Sequence, residues 1–153
     1  MTIRRAILAD VPTVMALFQQ TILRAAIQDY DEAQRQAWVR RGDNTERWKN
    51  RISNQHFLLA EQSDQLLGMG SITGEGHLDV LYVHYAHQGE GVATELLLRL
   101  EAWAKQQRLA RITTDASITA RPIFKRRGYR TIKEQKNALD DQILVNYRME
   151  KIL

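Results

Sequence analysis

The loop Ala86-His87-Gln88-Gly89-Glu90-Gly91 lies between a strand-forming run (Leu78, Val80, Leu81, Tyr82, Val83) and a Leu-rich stretch that reads as a helix opening near Val92. Where a strand gives way to a helix, the first helical N–H groups lack partners and the helix dipole is positive. Such a corner can cradle an anionic phosphate on its main chain. Gly89 and Gly91 have no Cβ to hold the anion away. A second set of reactive types sits on the preceding strand, where alternation puts His77, Asp79, Leu81 and Val83 on one face. An imidazole with a reference pKa of about 6.5 suits proton abstraction at neutral pH, directly or through water. Zinc is a poor match for His77, Asp79, His84 and His87, because His84 points to the opposite face and no dense ligand set results; no metal is expected. Other phosphate motifs fit worse. A dinucleotide fingerprint needs a third glycine where Thr94 stands, and no Gly-x-x-x-x-Gly-Lys-Ser/Thr occurs.

The elements that must position these residues follow in order. Thr2 to Leu8 reads as an edge strand, and Asp10-Val11-Pro12 starts a helix in which Asp10 can cap and Pro12 suits the first turn. Val14, Leu17, Phe18, Thr21, Ile22 and Ala25 carry it at helical spacing to about Ile27. Asp31 can cap a second helix, Glu32 to Arg41, with Ala33, Ala37 and Trp38 on one side and Gly42 at its end. Asn44 can cap a third, with Trp48 and Ile52 inward. His56 to Glu61, Leu66 to Thr73 and the strand from His77 form an antiparallel meander turned at Ser63-Asp64 and Gly74-Glu75-Gly76. After the glycine loop, Ala93, Leu96, Leu97, Leu100, Trp103 and Ala104 form an apolar stripe. Ala110 to Asp115 is then a strand parallel to the Leu78 strand, reached by a right-handed crossover. Ser117 to Arg127 reads as a short helix ended by Gly128. Tyr129 to Glu134 and Ile143 to Met149 close the chain as a hairpin about residues 137–141. The expected fold class is α/β: a mainly antiparallel sheet with one parallel pair and flanking helices.

Composition limits the function classes. At 153 residues, with 44% hydrophobic and 26% charged residues, the chain is expected to be one domain, residues 1–153, with its own core. No apolar run approaches a membrane span, so neither a membrane partner nor a leader is expected and the location is read as cytoplasmic. With no cysteine, disulfides, thiolate metal sites and a cysteine nucleophile are excluded. The net charge of +4 invites a nucleic-acid reading, but acidic residues are interspersed and a phosphorylated ligand uses the same charge, so no nucleic-acid partner is expected.

Gln88-Gly89-Glu90-Gly91-Val92-Ala93, read as Gln/Arg-x-x-Gly-x-Gly/Ala between strand and helix, resembles the acetyl-CoA pyrophosphate loop of the GCN5-related N-acetyltransferases. The element order matches that family over nearly the whole chain. A second marker is the segment 117–129, which resembles the family's Asn-x-x-Ala-x-x-x-Tyr-x-x-x-Gly-Phe helix, with Ala120, Gly128 and Tyr129 in register. Two positions depart: Ser117 stands where asparagine is usual, and Phe124 where the family's general-acid tyrosine sits.

The resemblance implies acetyl transfer from acetyl-CoA, as co-substrate, to an amine acceptor, small molecule or peptide, by direct attack in a ternary complex. The amides of Gly89, Glu90, Gly91, Val92 and Ala93 would take the pyrophosphate, with Gln88 opening the motif. The Leu78 strand would splay from its parallel neighbour, leaving main-chain groups at Leu81 and Val83 for the pantetheine and the Leu81 amide for the thioester oxygen. Ser117 and Phe124 would belong to the cofactor site, with Phe124 packing beside the thiol. In some family members a base carboxylate sits four residues before the polarising amide, which is the position of His77. Asp79 would orient that imidazole or hold the substrate ammonium. The segment from Gln28 to Trp48 would build the acceptor site, with Asp29, Tyr30, Glu32 and Trp38 offering carboxylates and an aromatic wall to a cationic amine. The replacement of the acid by Phe124 leaves a non-catalytic acyl-CoA sensor as the alternative, with a basic nucleic-acid binder third. The acceptor's identity and the oligomeric state, a homodimer included, stay open.

Overall fold

The sheet is built around the strand β4 (His77–Val83), which leads into the glycine loop and the helix α4 (Val92–Gln106). The computed structural model describes residues 1–153. Before this unit come β1 (Thr2–Arg5), α1 (Val11–Gln20), α2 (Glu32–Gly42), α3 (Thr45–Asn54), β2 (His56–Gln62) and β3 (Gln65–Ile72). After it come β5 (Arg111–Ser117), α5 (Arg121–Arg126), β6 (Arg130–Leu139) and β7 (Gln142–Ile152). The seven strands lie in the order β1-β2-β3-β4-β5-β7-β6, antiparallel throughout except for the parallel pair β4–β5. This is the expected fold class.

Caps and breaks explain most helix ends. Asp31 accepts from the Gln34 amide while the Gln34 side chain returns to the Asp31 amide, a complete capping box for α2. Asn44 accepts from the Arg47 amide and starts α3. Asp10 does not act as the expected cap. A 3₁₀ turn (Leu8–Asp10) precedes α1, and the Asp10 carboxylate is taken by the Arg4 guanidinium and the Ile7 amide. The helical run past Gln20 is a π-helical turn, Thr21–Ala25, so the segment that reads as one helix changes its winding midway. On α2, Ala37 is buried and Trp38 half-buried, but Ala33 is exposed.

Two apolar layers cover the sheet. On one face α4 and α5 bury Leu96, Leu97, Leu100 and Phe124 against Leu78, Val83, Ile112 and Ala116. On the other, α1, the π-helical turn after it and α3 bury Val14, Phe18, Ile22 and Trp48 against Phe57, Leu59, Met69 and Val80. Each large side chain in these layers contributes about 1.5–3 kcal/mol by leaving water, before the entropy of ordering it. The glycine at Gly68 on β3 is where α4 comes closest: a Cβ there would stand 2.8 Å from Val92 Cγ1. A smaller cluster of Ala26, Tyr30 and Leu144 ties the segment before α2 to β7.

The strand alternation expected for β4 is broken. Ser71 pairs with Val80 but its neighbour Ile72 pairs with Leu78, so Asp79 is an extra residue, a β-bulge. Leu78, Leu81 and Val83 consequently face α4, whereas Val80 and Tyr82 face α1 and α3. His77 and Asp79 are therefore on the face opposite Leu81 and Val83, and Tyr82 is on the His77 face, not away from it. Downstream, the expected helix from Ser117 begins only at Arg121, because residues up to Ser117 continue β5 against β7. The closing hairpin is longer than expected. Residues 135–139 are strand, and the turn shrinks to Asp140-Asp141.

Candidate active site

The parallel pair β4–β5 is registered at two positions only, His77 with Thr113 and Leu78 with Thr114. Beyond Leu78 the strands part. The His84 amide donates to Leu67 O on β3, so alternation turns the Tyr82 main chain to β3 and the Leu81 and Val83 main chains to the gap. The Val83 carbonyl is already used: it accepts from Gln88 Nε2 at 2.8 Å and from Thr21 Oγ1 at 3.4 Å. Gln88 is thus a brace between loop and strand, and only the amide of Val83 is left for a ligand. In the fork between the strands lies a small cavity of about 50 Å³ bounded by Leu81, Thr114, Ala116, Ala120 and Phe124. Phe124 is 2% exposed and edge-on to Tyr129. Ser117 Oγ accepts from the Ala120 amide and starts the turn into α5.

At the outer end of the fork, Gly89 (φ +75°) and Gly91 (φ +85°) adopt the left-handed backbone region, and a Cβ on either would meet nothing within 4 Å. Gly91 is the residue before α4 and no side chain caps it, so the first amides of this 15-residue helix face open space. A cavity of about 250 Å³ lies over them, lined by Gly89, Gly91, Val92, Ala93 and Thr94, with Arg126 of α5 opposite. Open main-chain donors, a positive helix end and a guanidinium make an anion site. The Glu90 carboxylate is turned back on His87 Nδ1 at 3.1 Å.

A larger cavity of about 500 Å³ opens on the other side of the sheet, lined among others by Tyr30, Trp38, His77, Asp79, Tyr82, Asp115 and Ser117 and closed by the β6–β7 strands. Trp38 and Tyr82 line both this cavity and the one in the fork, so the two spaces adjoin at these rings. His77 Nδ1 lies 2.9 Å from Thr113 Oγ1 and Nε2 lies 3.6 Å from Asp115 Oδ2. That imidazole is half-buried, oriented and within the cavity wall, which is the setting a proton acceptor needs. Asp79 does not contact the His77 ring. Its Oδ2 is taken by Arg51 Nε at 3.0 Å and Gln55 Nε2 at 2.9 Å. The bulge that flips the strand swings this carboxylate towards α3, and the carboxylate beside His77 is that of Asp115, 3.6 Å away.

Of the expected acceptor residues, Trp38 and Tyr30 do line this cavity, their rings edge-on at 5.3 Å. The Tyr30 hydroxyl donates to Val145 O at 2.6 Å and accepts from the Ile118 amide at 2.9 Å. Burial pushes its pKa up to about 12. Asp29 is exposed and accepts from Thr119 Oγ1 at 2.8 Å, outside the cavity lining, and Glu32 is exposed in the first turn of α2. The cavity instead presents Arg41, Arg47 and Lys136, which sequence patterns did not single out. Tyr82 carries a hydroxyl pushed up to about 12, first by burial, and makes no hydrogen bond within the protein. Thr113 and Asp115 are recoverable from sequence once the parallel register is known, since both share the His77 face by alternation. No signal marks Arg41 and Arg47, which reach the same cavity because α2 and α3 both pack on α1.

The chain matches the family model described as an acetyltransferase (GNAT) domain over residues 26–151. It is 32% identical over 127 residues, 83% of its length, to the uncharacterized N-acetyltransferase YafP of Escherichia coli (strain K12), covering 79% of that protein. It superposes with a TM-score of 0.94 on the crystal structure of a GCN5-related N-acetyltransferase from Rhodopseudomonas palustris, at 31% identity, covering 99% of this chain and 95% of that one. A TM-score of 0.83 at 17% identity relates it to PaiA N-acetyltransferase of Thermoplasma acidophilum in complex with coenzyme A, over 99% of this chain and 98% of that one. The forked parallel pair, the glycine loop opening α4 and these matches agree: the chain is a member of the GCN5-related N-acetyltransferase family.

Proposed function

We propose that this chain moves an acetyl group from acetyl-CoA to an amine by direct attack, with both substrates bound at once, in one domain spanning residues 1–153. The observation that carries the reading is the fork itself: β4 and β5 part after Leu78, with an uncapped, glycine-lined helix start at one end and the His77 cavity at the other. The amides of Gly89, Glu90, Gly91, Val92 and Ala93, with Arg126, suit the pyrophosphate. The free Leu81 and Val83 amides suit an added, strand-like pantetheine, and the Leu81 N–H is placed to polarise the thioester oxygen. A coenzyme A complex of the fold relative from Thermoplasma acidophilum is in keeping with this use of the fork.

His77, hydrogen-bonded to Thr113 with Asp115 nearby, takes the proton of the acceptor ammonium or amine. The amine nitrogen attacks the acyl carbon, the N–C bond forms, and the C–S bond breaks with its electron pair on sulfur. A thiol with a pKa of about 8.5 is a fair leaving group, so the step needs little acid help and Phe124 serves as packing beside it. The one serine lining the fork, Ser117, has its Oγ hydrogen-bonded to the Ala120 amide with no base beside it, and the chain has no cysteine, which favours direct transfer. The absence of a hydroxyl at Phe124 is also what favours the second reading, an acyl-CoA sensor.

The test is an acetyl-CoA consumption screen across an amine panel with a calorimetric coenzyme A titration alongside. Binding with acetylation of some amine supports transfer, binding without consumption supports the sensor, and no heat or melting shift with either coenzyme ends both.

A further inference from the structure

The His77 cavity is lined by cations without partners and by carboxylates that already have them. Asp79 is neutralised by Arg51 at 3.0 Å and also accepts from Gln55. Asp115 is held by Arg148 Nε at 2.7 Å and by Gln135 Nε2 at 2.9 Å. Each carboxylate is thus already paired with an arginine before any substrate arrives. Arg41 on α2, Arg47 on α3 and Lys136 on β6 face the same space, and none of these side chains has an ion pair or hydrogen bond within the protein. Arg47 is half-buried while Arg41 and Lys136 are exposed, and burial together with Arg51 and Arg41 lowers the Arg47 pKa against the opposing pull of Asp79. Bringing like charges together around an empty cavity is unfavourable unless an anion enters it. Guanidinium forks match planar or tetrahedral oxyanions through paired N–H donors.

Resting on the transfer reading above, we infer that the acceptor is an amine that itself carries an oxyanion, a carboxylate or a phosphate, held by Arg41 and Arg47 while its amine is directed at His77. This replaces the cationic acceptor that Asp29 and Glu32 suggest in the sequence. Polyamines and multiply cationic antibiotics would meet two guanidiniums and an ammonium with no free carboxylate. The walls of Tyr30, Trp38 and Tyr82 add apolar surface suited to the body of an amino-acid-sized molecule. The transfer step is unchanged: nitrogen gains the acetyl group, sulfur keeps the bonding pair, and the amine proton goes to His77.

The experiment pairs each anionic amine with its neutralised counterpart: α-amino acids with their amides, short peptides with C-terminal amides, β-alanine with propylamine, and phosphoethanolamine with ethanolamine. Each is assayed for acetyl-CoA consumption and for a melting shift on the protein saturated with coenzyme A. The expected result is kcat/KM about 10- to 100-fold higher for carboxylated or phosphorylated members, the gain of a charge-assisted pair. Arg47→Gln and Arg41→Gln should raise KM for those members by a similar factor, leaving KM for acetyl-CoA unmoved and the amides unaffected. Arg47→Glu should shift preference towards diamines. The amino-acid and phosphate arms tell which oxyanion is meant. Equal rates within every pair, a preference for diamines in the wild type, or arginine variants that weaken all acceptors alike would each overturn the inference. Should no amine be acetylated, the transfer reading fails, and the melting shifts alone decide the arginine pair. A shift with anionic amines that Arg47→Gln abolishes upholds it, and no shift ends it.

Discussion

Gly91 concentrates the argument for the phosphate loop in one residue. At φ +85° with nothing within 4 Å of an added Cβ, a side chain there starts into open space, so its first cost in the free protein is conformational. Holding an L-residue in the left-handed region costs about 1–2 kcal/mol. For a chain of this size each kcal/mol moves the melting temperature by roughly 2–4 °C, so Gly91→Leu should melt about 2–8 °C lower and still fold. The open volume that tolerates the side chain is the volume a pyrophosphate would occupy, so the same variant should lose coenzyme binding. The wild type, saturated at 100 times its dissociation constant, gains about 2.7 kcal/mol, a rise of roughly 5–10 °C. Thermal melts of both proteins with and without coenzyme A give all four temperatures. Gly91→Asn separates the two effects, because asparagine tolerates the left-handed region but still carries a Cβ. It should recover stability without recovering the coenzyme shift. A Gly91→Leu protein that keeps the full wild-type shift would refute the cradle.

His77→Ala should lower turnover about 100-fold or more, with acetyl-CoA affinity intact and the acidic limb of the pH–rate profile gone; an unchanged profile would remove His77 from the chemistry. Tyr129→Phe strips the hydroxyl that donates to buried Glu101 at 2.9 Å, leaving Lys151 at 3.1 Å. It should cost about 1–3 kcal/mol in denaturant unfolding yet retain most turnover, as should Tyr147→Phe, whose hydroxyl reaches only Glu134. A collapse of turnover in either stable variant would identify a relocated acid. His56 stacks on Trp103 at 4.7 Å with Nδ1 buried and unpartnered, and its pKa is lowered, first by burial and then by Arg5. Its contribution to stability is therefore full above the unfolded value of about 6.5 and lost as pH falls through the lower folded value. Unfolding midpoints should drop between neutral and mildly acid pH in the wild type and less so in His56→Gln, and parallel curves would exclude this histidine.

The element order, the caps at Asp31 and Asn44, the apolar stripe of α4 and the glycine loop were all legible along the chain. Each is local: it depends on neighbours within a turn or two, where side-chain type and spacing determine the backbone. The face of β4 was not legible. Alternation holds only while strands pair one to one, and the extra residue at Asp79 exists only in the register between β3 and β4. That bulge moves Leu81 and Val83 to one side, Tyr82 and His77 to the other, and delivers Asp79 to Arg51. The partners of His77 come from β5, some 36 residues away along the chain, through a parallel register of two positions. The sign of the acceptor cavity is decided later still. Composition and order place acids and bases evenly through the chain. Only tertiary packing pairs Asp79 and Asp115 with arginines from α3 and β7 and leaves Arg41 and Arg47 without partners. Charge in a cavity is a difference between neighbours brought together from distant segments, and no one-dimensional pattern carries that difference.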